Sequence, residues 1–227
     1  MLFRSYYAHI MRPFREHVLD AVALIEPLEL TAIAPAHGPI LRQQPRDYVH
    51  RYRELATPRL FNEARVEKTL LVFYISAYGN TRRMAEALAA GAEALGGVRV
   101  SLYDLEGGEA GVFTDLIEEA DALAFGSPTI NGDAVKPVWD VLSSLTTVNV
   151  KGKLGAAFGS YGWSGEAVRL IEDRLRGLKL RVPVEGLRIK LVPDNGELAA
   201  CRDLGEQLAR HLTGRLETRV IDMAELA

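Results

Sequence analysis

A short polar stretch in the first half of the chain has the residue types that bind a phosphate group. Residues 74–81 read YISAYGNT, between the apolar run 69–73 and a helical pattern that begins near Arg82. In a strand–loop–helix arrangement, free backbone N–H groups converge on one point, and the helix dipole adds partial positive charge there. A glycine for close backbone approach and short side-chain donors are also present, at Gly79, Ser76, Asn80 and Thr81.

The loop contains no lysine, which excludes a nucleotide-hydrolysing P-loop, because that site needs Gly-Lys-Ser/Thr. A phosphate held by neutral donors is typical of a permanently bound cofactor such as FMN. An ordinary capped turn would use the same residues, so the interpretation depends on whether other loops agree.

Two further loops are rich in glycine, hydroxyl residues and aromatic residues. They are residues 126–133 (GSPTINGD) and 159–165 (GSYGWSG). Together the three loops could supply backbone donors and acceptors to the edge of a flat heteroaromatic ring, and aromatic faces for stacking. Alternatively, Asn131-Gly132 could be only a turn or a helix cap, and Tyr161 and Trp163 could pack on the core.

The elements that must position these loops alternate between strand and helix. Strand patterns lie at 69–75, 98–103, 121–126, 153–158 and 188–192, and helical patterns at 81–95, 112–119, 134–145, 165–177 and 197–212. Ser164 is expected to cap the fourth of these helices. Five such units predict an α/β fold, a doubly wound parallel sheet that binds its ligand beyond the carboxyl ends of the strands.

The pieces on either side of this alternating region are less regular. Residues 1–66 predict a helix over 6–25 interrupted near Pro13, a short buried strand at 30–34 and a helix at 45–56. We expect this extension to be too small to build a core of its own. It precedes a domain over residues 67–213, and a tail over 214–227 has a possible strand at 218–221.

Composition limits the class of protein. The net charge of −3 over 227 residues argues against nucleic acid, and the apolar runs are far shorter than the ~20 residues of a membrane span. The N-terminus lacks the apolar segment of a secretory signal. Cys201 is the one cysteine, which excludes an internal disulfide and fits a cytoplasmic location.

With these three loops in this order, the sequence resembles a flavodoxin-like domain, and more narrowly that of a flavodiiron protein. Residues 76–81, 127–132 and 160–165 carry the resemblance. A free-standing flavodoxin more often has a hydroxyl residue at the position of Tyr78 and usually lacks tryptophan at that of Trp163. The resemblance covers residues 68–212 and implies five parallel strands in the order 2-1-3-4-5.

The resemblance also implies which residues bind FMN. The phosphate loop would consist of Ser76, Ala77, Tyr78, Gly79, Asn80 and Thr81. The ring and its ribityl chain would be bordered by Ser127, Pro128, Thr129, Ile130, Asn131 and Gly132. The other side of the ring would be covered by Ser160, Tyr161, Gly162, Trp163, Ser164 and Gly165. No catalytic residue is expected, since hydrogen bonds and charge near the ring nitrogens tune its redox potential.

The N-terminal extension continues the resemblance. Residues 6–11 and 33–40 resemble the end of the metallo-β-lactamase-like iron domain that precedes the flavodoxin domain in flavodiiron proteins, and His37 would match its last iron ligand. The family's His-x-Glu-x-Asp-His motif is absent, although a di-iron site needs several histidine and carboxylate ligands. We expect the C-terminal portion of such a protein, as a truncated gene, a fragment or half of a split enzyme, with di-iron only if a partner supplies the missing ligands.

The function implied is an FMN electron-transfer domain. In this family, rubredoxin or an NAD(P)H-dependent reductase donates electrons, di-iron reduces O2 or NO, and the subunits form head-to-tail dimers, so a homodimer is expected. We expect no complete reductase activity from this chain alone. Two alternatives remain: a flavodoxin-like NAD(P)H:quinone reductase, and a non-enzymatic interaction module on the same fold.

Overall fold

The computed structural model describes residues 6–57, 67–107 and 113–215. The chain divides into a smaller unit, Met1–Glu63 with Thr146–Asn149, and a larger unit, Ala64–Leu145 with Val150–Ala227. The possible strand at 218–221 lies outside the described residues.

Residues 7–57 of the smaller unit contain two α-helices, α1 (Arg15–Ile25) and α2 (Pro45–Ala56). A π-helical turn and a 3-10 turn precede α1 over Tyr7–Met11 and Arg12–Phe14, so the predicted interruption near Pro13 is confirmed. Proline lacks the N–H that a continuous α-helix needs at that point.

Two expectations for this unit are wrong. Residues 30–34 do not form a buried strand; they are mostly exposed and contribute one isolated antiparallel bridge, Ile33 to Leu41. The prediction rested on apolar composition alone. A strand also needs a partner strand, because its backbone N–H and C=O groups must form hydrogen bonds. The unit also has a small core of its own, composed of Tyr7, Val18, Val22, Val49 and Ala56.

Within the residues that the structure describes, the larger unit has seven strands. They are β1 (Lys68–Tyr74), β2 (Val98–Asp104), β3 (Ala122–Gly126), β4 (Thr129–Ile130), β5 (Asp133–Ala134), β6 (Leu154–Tyr161) and β7 (Leu187–Lys190). Five of them form a parallel sheet in the order β2-β1-β3-β6-β7, and β4 and β5 form a separate antiparallel hairpin. Counted over the five-stranded sheet alone, the order is 2-1-3-4-5, so the predicted flavodoxin-like fold is confirmed.

Five α-helices of the larger unit lie in residues 67–107 and 113–215. They are α3 (Asn80–Ala94), α4 (Thr114–Glu119), α5 (Lys136–Ser144), α6 (Glu166–Gly177) and α7 (Asn195–Thr213). Apolar side chains alternate along the strands, so that Leu70 and Val72 pack in one core with α3 and α7. On β1, Phe73 points the opposite way and stacks on Phe125, with ring centroids 5.4 Å apart. Both faces of the sheet are thus covered by apolar side chains.

Helices α3 and α7 approach each other at two glycines. A Cβ placed on Gly91 would lie 2.0 Å from the carbonyl oxygen of Arg202, and one on Gly205 would lie 2.0 Å from that of Leu88. Any larger residue would therefore force the two backbones apart. Cys201 is buried on α7, and burial raises the pKa of its thiol to about 11. Of the helices within the described residues, none has the length and apolar composition to cross a bilayer.

Candidate functional site

The carboxyl ends of three adjacent strands bring the three sequence-predicted loops to one edge of the sheet. Tyr74 pairs with Gly126, and Gly126 pairs with Phe158. The pairing continues past the strands, because the Ile75 N–H donates to the Gly126 carbonyl at 3.1 Å and the Ser127 N–H to the Phe158 carbonyl at 3.1 Å. We call residues 74–81, 126–133 and 159–165 the first, second and third loops.

The first loop ends at the amino terminus of α3. Gly79 is the N-cap residue with φ of 79°, a left-handed conformation that glycine adopts without strain. The Ser76 hydroxyl accepts the Arg82 N–H at 3.1 Å, which leaves its own proton available to a ligand. The backbone N–H groups of Asn80 and Thr81 meet no backbone or side-chain acceptor within the described residues.

The positive charge closest in sequence to these N–H groups is already paired. The Arg82 guanidinium donates to the Asp104 carboxylate at 2.6 Å, at the carboxyl end of β2. Hydrogen bonds with Asp104, and then with Tyr74, raise the pKa of Arg82. Because this arginine is engaged by a carboxylate, the first loop presents neutral donors, as its sequence predicts.

A buried pair of hydroxyl groups joins the first loop to the third. Thr81 Oγ1 and Ser160 Oγ share a hydrogen bond of 3.0 Å, and both side chains are buried. This hydrogen bond holds the start of α3 against β6. The sequence also predicts the Thr81 hydroxyl as a phosphate donor, and that role stays a prediction.

The second loop is a hairpin, which the sequence reasoning treated as an irregular loop. Asn131 and Gly132 have φ of 55° and 74°, so they form the type I′ turn between β4 and β5. The sequence analysis gave a turn at Asn131-Gly132 as an alternative to a ligand-binding role, and the backbone of these two residues does form a turn. The Asn-Gly pair between short β-prone residues was the signal that could have identified the hairpin.

Hydrogen bonds tie the second loop to itself and to α6. The Ser127 hydroxyl is fully buried, donates to the Pro128 carbonyl at 2.8 Å and accepts the Val135 N–H at 3.1 Å. The Thr129 hydroxyl accepts the Ala167 N–H at 3.4 Å, at the start of α6. Ser127 thus shapes the loop, and Thr129 links it to the helix that follows the third loop.

The third loop runs close to the second. A Cβ on Gly159 would lie 2.1 Å from the Ser127 carbonyl oxygen, so only glycine allows this approach. The predicted cap at Ser164 is wrong: Gly165 is the N-cap of α6, and no side-chain cap hydrogen bond forms there. Gly165 packs beside the Tyr161 ring, since a Cβ on it would lie 3.1 Å from a carbon of that ring.

Two aromatic side chains of these loops are almost completely exposed. Trp163 is 99% exposed and Tyr78 is 92% exposed, so the alternative in which Trp163 packs on the core is wrong. Tyr161 is partly buried, and Ile130 is exposed at the tip of the hairpin. Large apolar faces left in water at a loop cluster are typical of a binding surface.

A metal centre does not fit the residues that the structure describes. His37 lies exposed in a loop of the smaller unit. Throughout residues 6–57, 67–107 and 113–215, no three or more His, Cys, Asp or Glu side chains come together as metal ligands would. A di-iron site needs such a cluster.

Comparison with known proteins agrees with this geometry. The flavodoxin family model matches residues 72–205. The type A flavoprotein fprA of Rhodobacter capsulatus is 58% identical over 225 residues, which cover 99% of this chain and 52% of that protein. The chain spans about half the length of the curated relatives it matches.

Solved structures divide into two kinds of neighbour. The rubredoxin oxygen:oxidoreductase of Desulfovibrio gigas superposes with a TM-score of 0.70 at 28% identity, over 95% of this chain and 53% of that one. A flavodoxin from the domain Archaea gives a TM-score of 0.56 at 35% identity, over 64% of this chain and 99% of that one. The resemblance inferred from the three loops is confirmed: the chain belongs to the flavodoxin family, and its larger unit is the flavodoxin-like domain of the type A flavodiiron proteins.

Proposed function

We propose that the larger unit binds FMN and transfers electrons through it. The observation that carries this proposal is the Thr81–Ser160 hydroxyl pair, which holds the first and third loops together beside the free N–H groups of α3. Bound FMN would supply one-electron and two-electron redox chemistry. The protein's part is to bind the phosphate, orient the ring and limit its contact with water.

The phosphate would be held by the first loop. The N–H groups of Asn80 and Thr81, the Ser76 hydroxyl and the positive end of the α3 dipole supply donors without a paired cation. Ala77, Tyr78 and Gly79 complete the loop, and the glycine conformation allows the close approach.

The ring would lie between the second and third loops. The exposed faces of Trp163 and Tyr78 offer stacking surfaces, and Ile130 adds an apolar edge on the hairpin. The remaining predicted residues of the two loops would border the ring mainly through their backbone: Pro128, Thr129, Asn131, Gly132, Gly162, Ser164 and Gly165.

The electron donor and the assembly are further parts of the proposal. One solved neighbour is called a rubredoxin oxygen:oxidoreductase, and we infer that rubredoxin or an NAD(P)H-dependent reductase donates electrons here too. The expected assembly is a homodimer, and reduction of O2 or NO would require a di-iron centre with ligands beyond those of these 227 residues. Light scattering after size exclusion would test the dimer.

The visible absorption spectrum of the purified protein tests the FMN proposal. We expect a flavin spectrum, or its appearance after FMN is added, and release of FMN on denaturation. Riboflavin lacks the phosphate, so it should bind about 100-fold more weakly, since two charge-assisted hydrogen bonds contribute about 3 kcal/mol.

The two alternatives give different results in the same experiments. A protein that stays colourless with added FMN would contradict the proposal and favour an interaction module. Rapid reduction of quinones by NAD(P)H in the flavin-loaded protein would favour the quinone reductase. Equal affinity for FMN and riboflavin would contradict the proposal that the first loop binds the phosphate.

A further inference from the structure

Leu191 has a backbone conformation that is costly for its residue type. It follows β7 directly and has φ of 63°, in the left-handed region. A bulky side chain is strained there, whereas glycine is not. The residue is tied to the third loop, because the Leu191 N–H donates to the Tyr161 carbonyl at 2.8 Å.

Three other non-glycine residues in the described part of the chain have positive φ. Gln44 lies in the smaller unit directly before α2, and Asn131 lies in the hairpin turn. Lys179 ends α6 in a Schellman motif, in which its N–H donates to the Arg176 carbonyl and the Leu180 N–H to that of Leu175. Leu191 is different, since no helix end or two-residue turn requires it.

The Leu191 side chain lies beside the third loop. Its Cδ2 is 4.0 Å from the point where a Cβ on Gly162 would be, so it lies next to the backbone that precedes Trp163. The residue is nevertheless 59% exposed, and burial therefore does little to offset its strain. Strain that the fold does not need occurs mainly at functional sites.

We propose that Leu191 is a positioning residue of the flavin site. It supports the third loop at Gly162 and so fixes the placement of Tyr161 and Trp163 against the ring. The inference rests on the proposed FMN function, and it assigns a role to a residue outside the three loops. A loop held in its binding conformation before the ligand arrives loses less freedom on binding.

The substitution Leu191→Gly tests this role because it removes the side chain and relieves the strain together. We expect the FMN-free protein to be as stable towards urea as the parent, or more stable. The FMN dissociation constant should rise about tenfold as the loop loses its support. The fluorescence of the bound flavin should be less quenched, since Trp163 no longer stacks in one position. The variant Leu191→Met keeps a long apolar side chain, so its FMN dissociation constant and flavin fluorescence should be close to those of the parent.

Lys179→Gly is the matched control. It removes a side chain from another left-handed position, at the opposite end of α6 from the third loop, so stability should rise while FMN affinity and fluorescence stay at the parent values.

Two results would overturn the inference. If Leu191→Gly binds FMN as tightly as the parent, the side chain does not position the site. If Leu191→Gly unfolds at lower urea or fails to fold, the leucine serves the fold instead. Failure of the parent protein to bind FMN would refute the proposed function, and this is seen before any variant is made.

Discussion

At the scale of single residues, the hydroxyl groups of the site hold loops together more than they face outward. Thr81 and Ser160 pair with each other, and the two hydrogen bonds of Ser127 join it to Pro128 in the second loop and to Val135 just after that loop. The donors left for a ligand are mainly backbone N–H groups. Ligand affinity therefore depends on how accurately the loops are held, and the buried hydroxyls determine that.

Replacing both hydroxyl groups of the Thr81–Ser160 pair should lower the free energy of unfolding by less than the sum of the two single replacements. Thr81→Val or Ser160→Ala leaves the other hydroxyl buried without its partner, so each should lower the free energy of unfolding by about 1–3 kcal/mol. The double variant should lose less than the sum of the two, because no orphaned hydroxyl remains. Urea unfolding without FMN measures all three.

Thr213→Val serves as the control for this pair. Its hydroxyl donates to the Ala209 carbonyl at 2.8 Å within α7, far along the chain from the loops, so its loss should have a small effect. Strict additivity of Thr81→Val and Ser160→Ala would mean that the two hydroxyls do not interact in solution.

At the scale of elements, the placement of α3 depends on its contact with α7. The amino terminus of α3 offers the N–H groups to the ligand, while Gly91 and Gly205 set the distance between the two helices. This crossing lies near the carboxyl end of α3, away from its first turn. A substitution there should nevertheless shift the helix and so lower ligand affinity.

Gly91→Ala or Gly205→Ala should destabilise the protein by about 3 kcal/mol or more, because the new Cβ would overlap a backbone carbonyl. FMN affinity should fall as α3 shifts. Gly177→Ala is the control: no atom lies within 4 Å of its Cβ position at the end of α6, so helix propensity should stabilise the protein by about 0.5–1 kcal/mol. Thermal unfolding with and without FMN distinguishes them, and a neutral Gly205→Ala would disprove the close contact.

Sequence patterns predicted the regular elements well because apolar alternation and helical periodicity are local properties. The first strand was expected at 69–75 and lies at Lys68–Tyr74, and the helix expected at 45–56 is Pro45–Ala56. Sequence patterns did not predict features that depend on contacts with other parts of the chain. The strand expected at 30–34 makes only an isolated bridge, and α6 begins after Gly165 rather than after Ser164 because the Gly165 backbone, with φ of −122°, is not helical.

The candidate site was predictable to the level of loops but not of individual contacts. Gly-Ser-Thr-aromatic composition located all three loops, because a phosphate and a flat ring require those residue types. That Thr81 faces Ser160, 79 positions later, depends on the sheet order. The role of Leu191 had no sequence signal, since positive φ is not expected of leucine.

At the scale of the whole molecule, the chain has the three loops proposed to bind FMN and, in its described residues, no cluster of metal ligands. It also spans about half of its curated relatives' length. Electrons supplied to the bound flavin would therefore reach no metal centre built from these residues.

We expect the flavin-loaded chain to be reduced by a chemical donor but to consume NO no faster than an equal concentration of free FMN. An NO electrode measures the rate, and pretreatment with a chelator controls for contaminating metal. Sustained turnover well above that of free FMN, unaffected by the chelator, would show that this chain alone contains a complete reductase.

The single buried thiol of this molecule has a practical consequence for labelling. Cys201 is 1% exposed and has a pKa of about 11, so at neutral pH only about one molecule in 10,000 carries the reactive thiolate. Maleimide dyes and nitroxide labels should therefore not react with the native cysteine. A cysteine introduced on an exposed loop would then be the site that reacts, so Cys201 need not be replaced before labelling.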